Sequence, residues 1–223
     1  MNSVIKILET DDQKVYFTSD THFNHDRHFV YATRGYPDSQ SHTSGVINGI
    51  NEVVRSNDIL FHLGDFSLNT EEDGFNELLA RIMCQNIYIL WGNHNSPSWK
   101  IYEREVNKDF SCLIEHNIEI YPFRYKNLIF IGNYAETVVN GHRFVLSHYP
   151  ILVFNHLLKG AKHLCGHSHG ALDFSDEKNL TSKILDVGWD DFGRPLSVPD
   201  VLKIMNKKQV YVSTDHHSVV REL

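Results

Sequence analysis

Five short apolar runs in this chain share one ending. Each gives way within a few residues to Asp, Asn or His. Residues 14–19 lead to Asp20 and His22, and residues 58–63 lead through Gly64 to Asp65. Residues 86–91 lead through Gly92 to Asn93 and His94. Residues 142–147 end at His148, and residues 162–165 lead through Gly166 to His167 and His169. The runs are rich in β-branched and aromatic residues and too short for buried helices, so they read as strands. In open α/β sheets, ligands bind beyond the carboxyl ends of the strands. Glycine lets the backbone turn sharply there and bring short polar side chains toward one point.

The intervening sequence supplies the other layers. Residues 44–55 carry Val46, Ile47, Ile50, Val53 and Val54 at helical spacing, and residues 71–83 present Phe75, Leu78, Leu79 and Ile82 on one face. Residues 96–106, opening on Ser96 and Pro97, have an N-terminal helix signature, and residues 198–205 read as another helix. Past residue 118 the chain turns strand-rich, with runs at 118–123, 128–131, 136–139, 183–187 and 209–213, and Asn140-Gly141 marks a tight hairpin. Strand–helix alternation followed by strands predicts an α/β fold, a four-layer α/β/β/α sandwich of two mixed sheets flanked by helices. With no repeat or long linker, residues 1–223 are expected to form a single domain.

Composition narrows the chemistry. There are 15 histidines but only 3 cysteines, and the net charge is -7. Cys84, Cys112 and Cys165 form no CxxC pair, which argues against a disulfide framework and a thiolate zinc module. An acidic chain is a poor general coat for nucleic acid. No apolar run reaches the roughly 18–20 residues of a membrane span. The acid-containing N-terminus is wrong for a signal peptide, so a cytoplasmic location is expected.

Asp20, His22, Asp65, Asn93, His148, His167 and His169 offer three oxygen side chains and four imidazoles. Mixed N/O ligation suits Mn, Fe, Zn, Co or Ni, and is too nitrogen-rich for Ca or Mg alone. The set is too large for one tetrahedral ion and suits two divalent transition-metal ions sharing a carboxylate. Taken singly, each segment has an ordinary explanation as a turn or helix cap. Five in succession, each behind an apolar strand, make that explanation poor.

The segments Ser19-Asp20-Thr21-His22, Leu63-Gly64-Asp65, Gly92-Asn93-His94, Ser147-His148 and Gly166-His167-Ser168-His169 resemble the five blocks of the calcineurin-like metallophosphoesterases. The likeness runs from residue 15 to about 190, closest to the small stand-alone bacterial and phage type. It implies one metal on Asp20, His22, Asp65 and His169, and a second on Asp65, Asn93, His148 and His167, with Asp65 bridging. His94 would act on the leaving group as the catalytic residue. Two positions depart from the family pattern: Asn95 stands where an acid usually supports His94, and Phe66-Ser67-Leu68 follows Gly64-Asp65 without a second acid.

The implied reaction is hydrolysis of a small phosphomonoester or phosphodiester by a metal-bridging hydroxide. Two divalent ions less two carboxylates leave the centre cationic by roughly +2 inside an acidic shell. That favours a small phosphoester substrate over a long polyanion. A nuclease with the same chemistry is the alternative, as is a weakened metal-binding protein. Asn93 and His25 are candidate substrate contacts. Cys165 and Trp91 are expected in the core, and Trp99 and Trp189 at the cleft border. Specificity is expected from the loops 34–44, 101–123 and 152–162. Nothing in the sequence sets an oligomeric state.

Overall fold

The computed structural model describes residues 4–68, 72–94, 119–123, 126–172 and 183–208. The expected helix 96–106, the strand 209–213, Asn95 and Trp99 lie outside the described residues. In chain order the elements are β1 (Val4–Ile7), β2 (Val15–Thr18), α1 (His28–Ala32), α2 (Ser39–Val53), β3 (Ile59–His62), α3 (Glu72–Arg81) and β4 (Asn86–Ile89). They continue with β5 (Glu119–Phe123), β6 (Lys126–Phe130), β7 (Tyr134–Val139), β8 (His142–Ser147) and β9 (Lys162–Cys165). The last are β10 (Ile184–Asp186), α4 (Trp189–Phe192), β11 (Leu196–Ser197) and α5 (Val198–Met205).

They build two mixed sheets, as the sequence predicts. One has six strands in the order β11-β2-β3-β4-β6-β5, and the other has five in the order β1-β7-β8-β9-β10. In the first, β2, β3, β4 and β6 run parallel, with Thr18 opposite His62 and His62 opposite Ile89. In the second, β8, β9 and β10 run parallel beside the β7–β8 hairpin. Asn140 and Gly141 close that hairpin with φ of 49° and 82°, as a two-residue turn with both central residues left-handed requires.

Strand alternation sorts the side chains into layers. Phe17, Phe61, Phe144, Leu146 and Leu164 fill the space between the sheets, where the Phe17 and Phe144 rings sit 5.2 Å apart. Leu60, Ile87, Ile89 and Leu128 face the other way and pack under Ile47 and Ile50 of α2 and Phe75 and Leu79 of α3. Both faces of the six-stranded sheet are thus buried, which explains its continuous apolar runs. Val145, Cys165 and Ile184 on the far face of the second sheet pack against Phe154, Leu157 and Ala161. Among the described residues no helix is long and apolar enough to cross a membrane.

Several expectations shift. The second helix starts at Ser39 rather than residue 44, because the Asp38 carboxylate accepts from the Ser41 backbone N–H at 2.6 Å and caps it. Much of the supposed loop 34–44 is therefore helical. Trp189 does not border a cleft: it is 5 % exposed, packed in the layer beneath α2. Strand β1 and helices α1 and α4 had no clear sequence signal, being only four or five residues long.

Candidate metal centre

The two sheets bring their strand ends to one place. Asp20, Asp65 and Asn93 follow β2, β3 and β4, while His148, His167 and His169 follow β8 and β9. Cross-loop hydrogen bonds fix the first group: the Asp20 N–H donates to the Gly64 carbonyl and the His22 N–H to the Asp65 carbonyl, at 3.1 and 3.0 Å. The Gly166 N–H donates to the His148 carbonyl at 2.9 Å. Gly166 is needed for space, since a Cβ there would lie 2.0 Å from Ser19 Oγ and 2.2 Å from Asp20 Oδ2.

The local backbone is strained where the sequence places ligands. Asp20, His22, Asp65, His167 and His169 all have positive φ, between 46° and 69°, although none is glycine. Residues held in such conformations cost of order 1–3 kcal/mol each and persist only when their surroundings over-determine them. Here the strain aims donor atoms inward.

His22 Nε2 lies 3.6 Å from Asp65 Oδ2, 3.9 Å from Asp20 Oδ1 and 3.2 Å from His169 Nε2. His169 Nε2 is 3.7 Å from Asp20 Oδ1. Close by, His148 Nε2 is 3.6 Å from Asp65 Oδ2 and 2.8 Å from Asn93 Oδ1, and His167 Nδ1 is 2.9 Å from the same Asn93 oxygen. All seven expected ligands therefore converge. Asp20, His22 and His169 form one group that could hold a metal ion, and Asp20, Asp65 and His148 form another. Asp20 enters both groups, and Asp65 Oδ2 lies 3.6 Å from both His22 and His148.

The donor chemistry fits divalent cations. Asp20 Oδ1 and Asp65 Oδ2 are buried with no hydrogen-bond partner, as is His22 Nδ1. A buried carboxylate oxygen left unpaired is costly, and a cation removes that cost. Burial raises the Asp20 carboxyl above its ordinary pKa, and burial followed by the neighbouring His169 pushes His22 down to about 2. Neutral imidazole is the form that ligates a metal.

Residues 13–220 match the family model Metallophos, described as calcineurin-like phosphoesterase. The chain belongs to the calcineurin-like phosphoesterase family. Metal-dependent phosphoester hydrolysis is the chemistry that family membership implies. The chain is also similar to the uncharacterized protein MJ1445 of Methanocaldococcus jannaschii, 28% identical over 133 residues, which span 60% of this chain and 76% of that protein. In fold it resembles the crystal structure of the protein of unknown function AQ665 from Aquifex aeolicus, with a TM-score of 0.59 and 17% identity, covering 86% of this chain and 99% of that one.

Two more histidines stand at the centre of this calcineurin-like phosphoesterase. His94 is exposed, with its ring 5.8 Å from that of His22, and its backbone N–H donates to Asp65 Oδ1 at 2.8 Å. His25 is buried, with its ring 5.3 Å from His22 and 6.4 Å from His94. Its Nδ1 accepts from the Arg27 N–H at 3.2 Å. Burial, then His94, lowers its pKa.

The sequence reading missed three side chains that support the site. His62 Nε2 lies 2.9 Å from Thr21 Oγ1, which donates to the Phe66 carbonyl at 2.9 Å. The hydroxyl must then accept from His62, so this bridge ties the Asp20–His22 loop to the residue after Asp65. Asp190 accepts from His169 Nδ1 at 2.8 Å, and Arg34 in turn holds Asp190. Burial alone would raise the Asp190 carboxyl, but bonds from His169 and Arg34 outweigh it and hold it below the usual range. Asp190 had a usable signal. It follows β10 and Gly188, much as Asp65 follows β3 and Gly64.

Proposed function

We propose that this chain hydrolyses a small phosphoester at a centre holding two divalent transition-metal ions. The observation that carries this reading is the pair of buried, unpartnered carboxylate oxygens, Asp20 Oδ1 and Asp65 Oδ2, each facing imidazole nitrogens. Asp20, His22, Asp65 and His169 would hold one ion, and Asp65, Asn93, His148 and His167 the other. Bound there, the ions supply Lewis acidity, lowering the pKa of water and offsetting charge on the phosphoryl oxygens.

The chain's own residues do the rest. The strained loops hold the donors in place before a cation or substrate arrives, so little reorganisation is needed during turnover. The Asn93 carboxamide would help hold the second ion through Oδ1, leaving its nitrogen as a donor for a phosphoryl oxygen. His94 belongs to neither donor set and is exposed beside them. Its imidazole donates a proton to the departing alkoxide. His25, between His22 and His94, supplies an N–H from Nε2, because its Nδ1 already accepts from the Arg27 backbone.

The test is a hydrolysis screen with Mn2+ added. p-Nitrophenyl phosphate and bis-p-nitrophenyl phosphate separate monoester from diester action, and single-stranded DNA tests the nuclease alternative. The expected result is turnover of at least one small ester, abolished in His94→Ala with metal content unchanged. Protein that binds fewer than two cations and stays inactive with Mn2+ would end the proposal.

A further inference from the structure

We infer that Arg34 and Asp190 act as positioning residues that make one of the two cation positions, the one on Asp20, His22 and His169, the tighter. The inference rests on the proposed two-cation reading of the site.

The Asp190 carboxylate accepts from His169 Nδ1 at 2.8 Å. That bond places the ring proton on Nδ1 and leaves the Nε2 lone pair turned toward Asp20 and His22. Asp190 is itself held by a fork: Arg34 Nε donates to Oδ1 at 2.9 Å and Nη2 to Oδ2 at 2.6 Å. The same guanidinium donates from Nη2 to the Asp20 carbonyl at 2.8 Å and from Nη1 to the Thr21 carbonyl at 3.2 Å. Its remaining direction goes to His42 Nε2 at 2.9 Å. Arg34 is nearly buried, with its side chain 5% exposed. One planar group therefore sets the Asp20 loop, from the six-stranded sheet, against the carboxylate behind His169, from the five-stranded sheet. Only arginine presents donors in a rigid fork of this kind.

The other position is built differently. His148 Nδ1 donates to the neutral Leu63 carbonyl at 2.9 Å, and His167 turns Nδ1 itself toward Asn93. Among the described residues no carboxylate stands behind either ring. A carboxylate behind a ligating imidazole orients the ring and raises its basicity, and its loss typically costs about 10–100-fold in metal affinity. Among the described residues, the first position has that support and the second does not.

The experiment is a calorimetric Mn2+ titration of the full chain after stripping by chelator. Wild type is expected to bind in two separate steps. Asp190→Asn should weaken the tighter step by about 10–100-fold and leave the weaker step within roughly twofold. Arg34→Gln should move the same step in the same direction. With Co2+ in place of Mn2+, the visible bands of the tightly bound ion should change in Asp190→Asn. His167→Ala should instead move the weaker step. A merely structural role would lower both steps together with the melting temperature, and that result overturns the inference. So do two equal steps in wild type, or a tighter step that Asp190→Asn leaves in place. If Asp190→Asn does not fold, Arg34→Lys is judged by the same criteria. A wild-type chain that binds no Mn2+ refutes the proposed function itself, which separates the two failures.

Discussion

His163 offers a direct test of the electrostatics of this fold away from its centre. It lies in β9 with no exposure, its ring against Phe154 at 5.3 Å. Nε2 accepts from the Ile151 backbone N–H at 2.9 Å, so the ring proton sits on Nδ1 and is donated to the Val145 carbonyl, also at 2.9 Å. Protonating Nε2 would set one N–H against another. Burial is the main cause that lowers this imidazole to about 4. An unfolded chain returns it to about 6.5. Between these values the unfolded state binds the extra proton, so stability is complete above about pH 6.5 and is lost as pH falls through 4. The gap is worth about 3 kcal/mol. Other buried histidines, such as His42 at about 4 and His62 at about 3, steepen the same acid limb in wild type. The informative quantity is therefore the difference from His163→Gln. Urea unfolding from about pH 8 to about pH 4 should show that wild type's advantage over the variant shrinks by about 3 kcal/mol across this window. A difference curve that stays flat, or rises toward acid, would refute the locked neutral tautomer.

Gly166→Ala drives a Cβ into Ser19 and Asp20, so thermal unfolding should show a loss of about 1–3 kcal/mol and steady-state assays at least a tenfold lower rate; wild-type values for both would mean the loops yield easily. If Asp65 is shared by two ions as proposed, Asp65→Asn should reduce bound metal toward zero rather than to one ion per chain, because the shared oxygen would lose its charge. Retention of both ions on dialysis would move the bridge to Asp20. Stripping the protein with EDTA should lower the melting temperature by several degrees, since about 2.7 kcal/mol per site is lost if cations had been present at about 100 times Kd, and Mn2+ should restore it. An unchanged transition would separate the cation sites from folding.

The parts of this molecule that were legible in its sequence are those where a local rule and the tertiary structure agree. The parallel strands β2, β3 and β4 are continuous apolar runs because both faces are covered, and the polar residues after them converge because the strands share direction and register. The Asn140-Gly141 turn is fixed by the φ values it must adopt. Less legible were the features set by distance in space. Arg34 sits 156 residues from Asp190, and no periodicity links them. His62 reads as one more residue of an apolar strand, and only the fold places Thr21 above it. Trp189 was expected at the cleft border, yet it packs into the layer beneath α2.

The ligands are divided unevenly between the two sheets. The six-stranded sheet supplies every oxygen donor, Asp20, Asp65 and Asn93, together with His22, while the five-stranded sheet supplies only the imidazoles of His148, His167 and His169. The half-site that carries the carboxylates is therefore complete by residue 93, and its imidazole counterpart by residue 169. Under the proposed function, a cation on Asp20, His22 and His169 would act as a rivet between loops of the two sheets, so its removal would loosen the seam where those sheets meet.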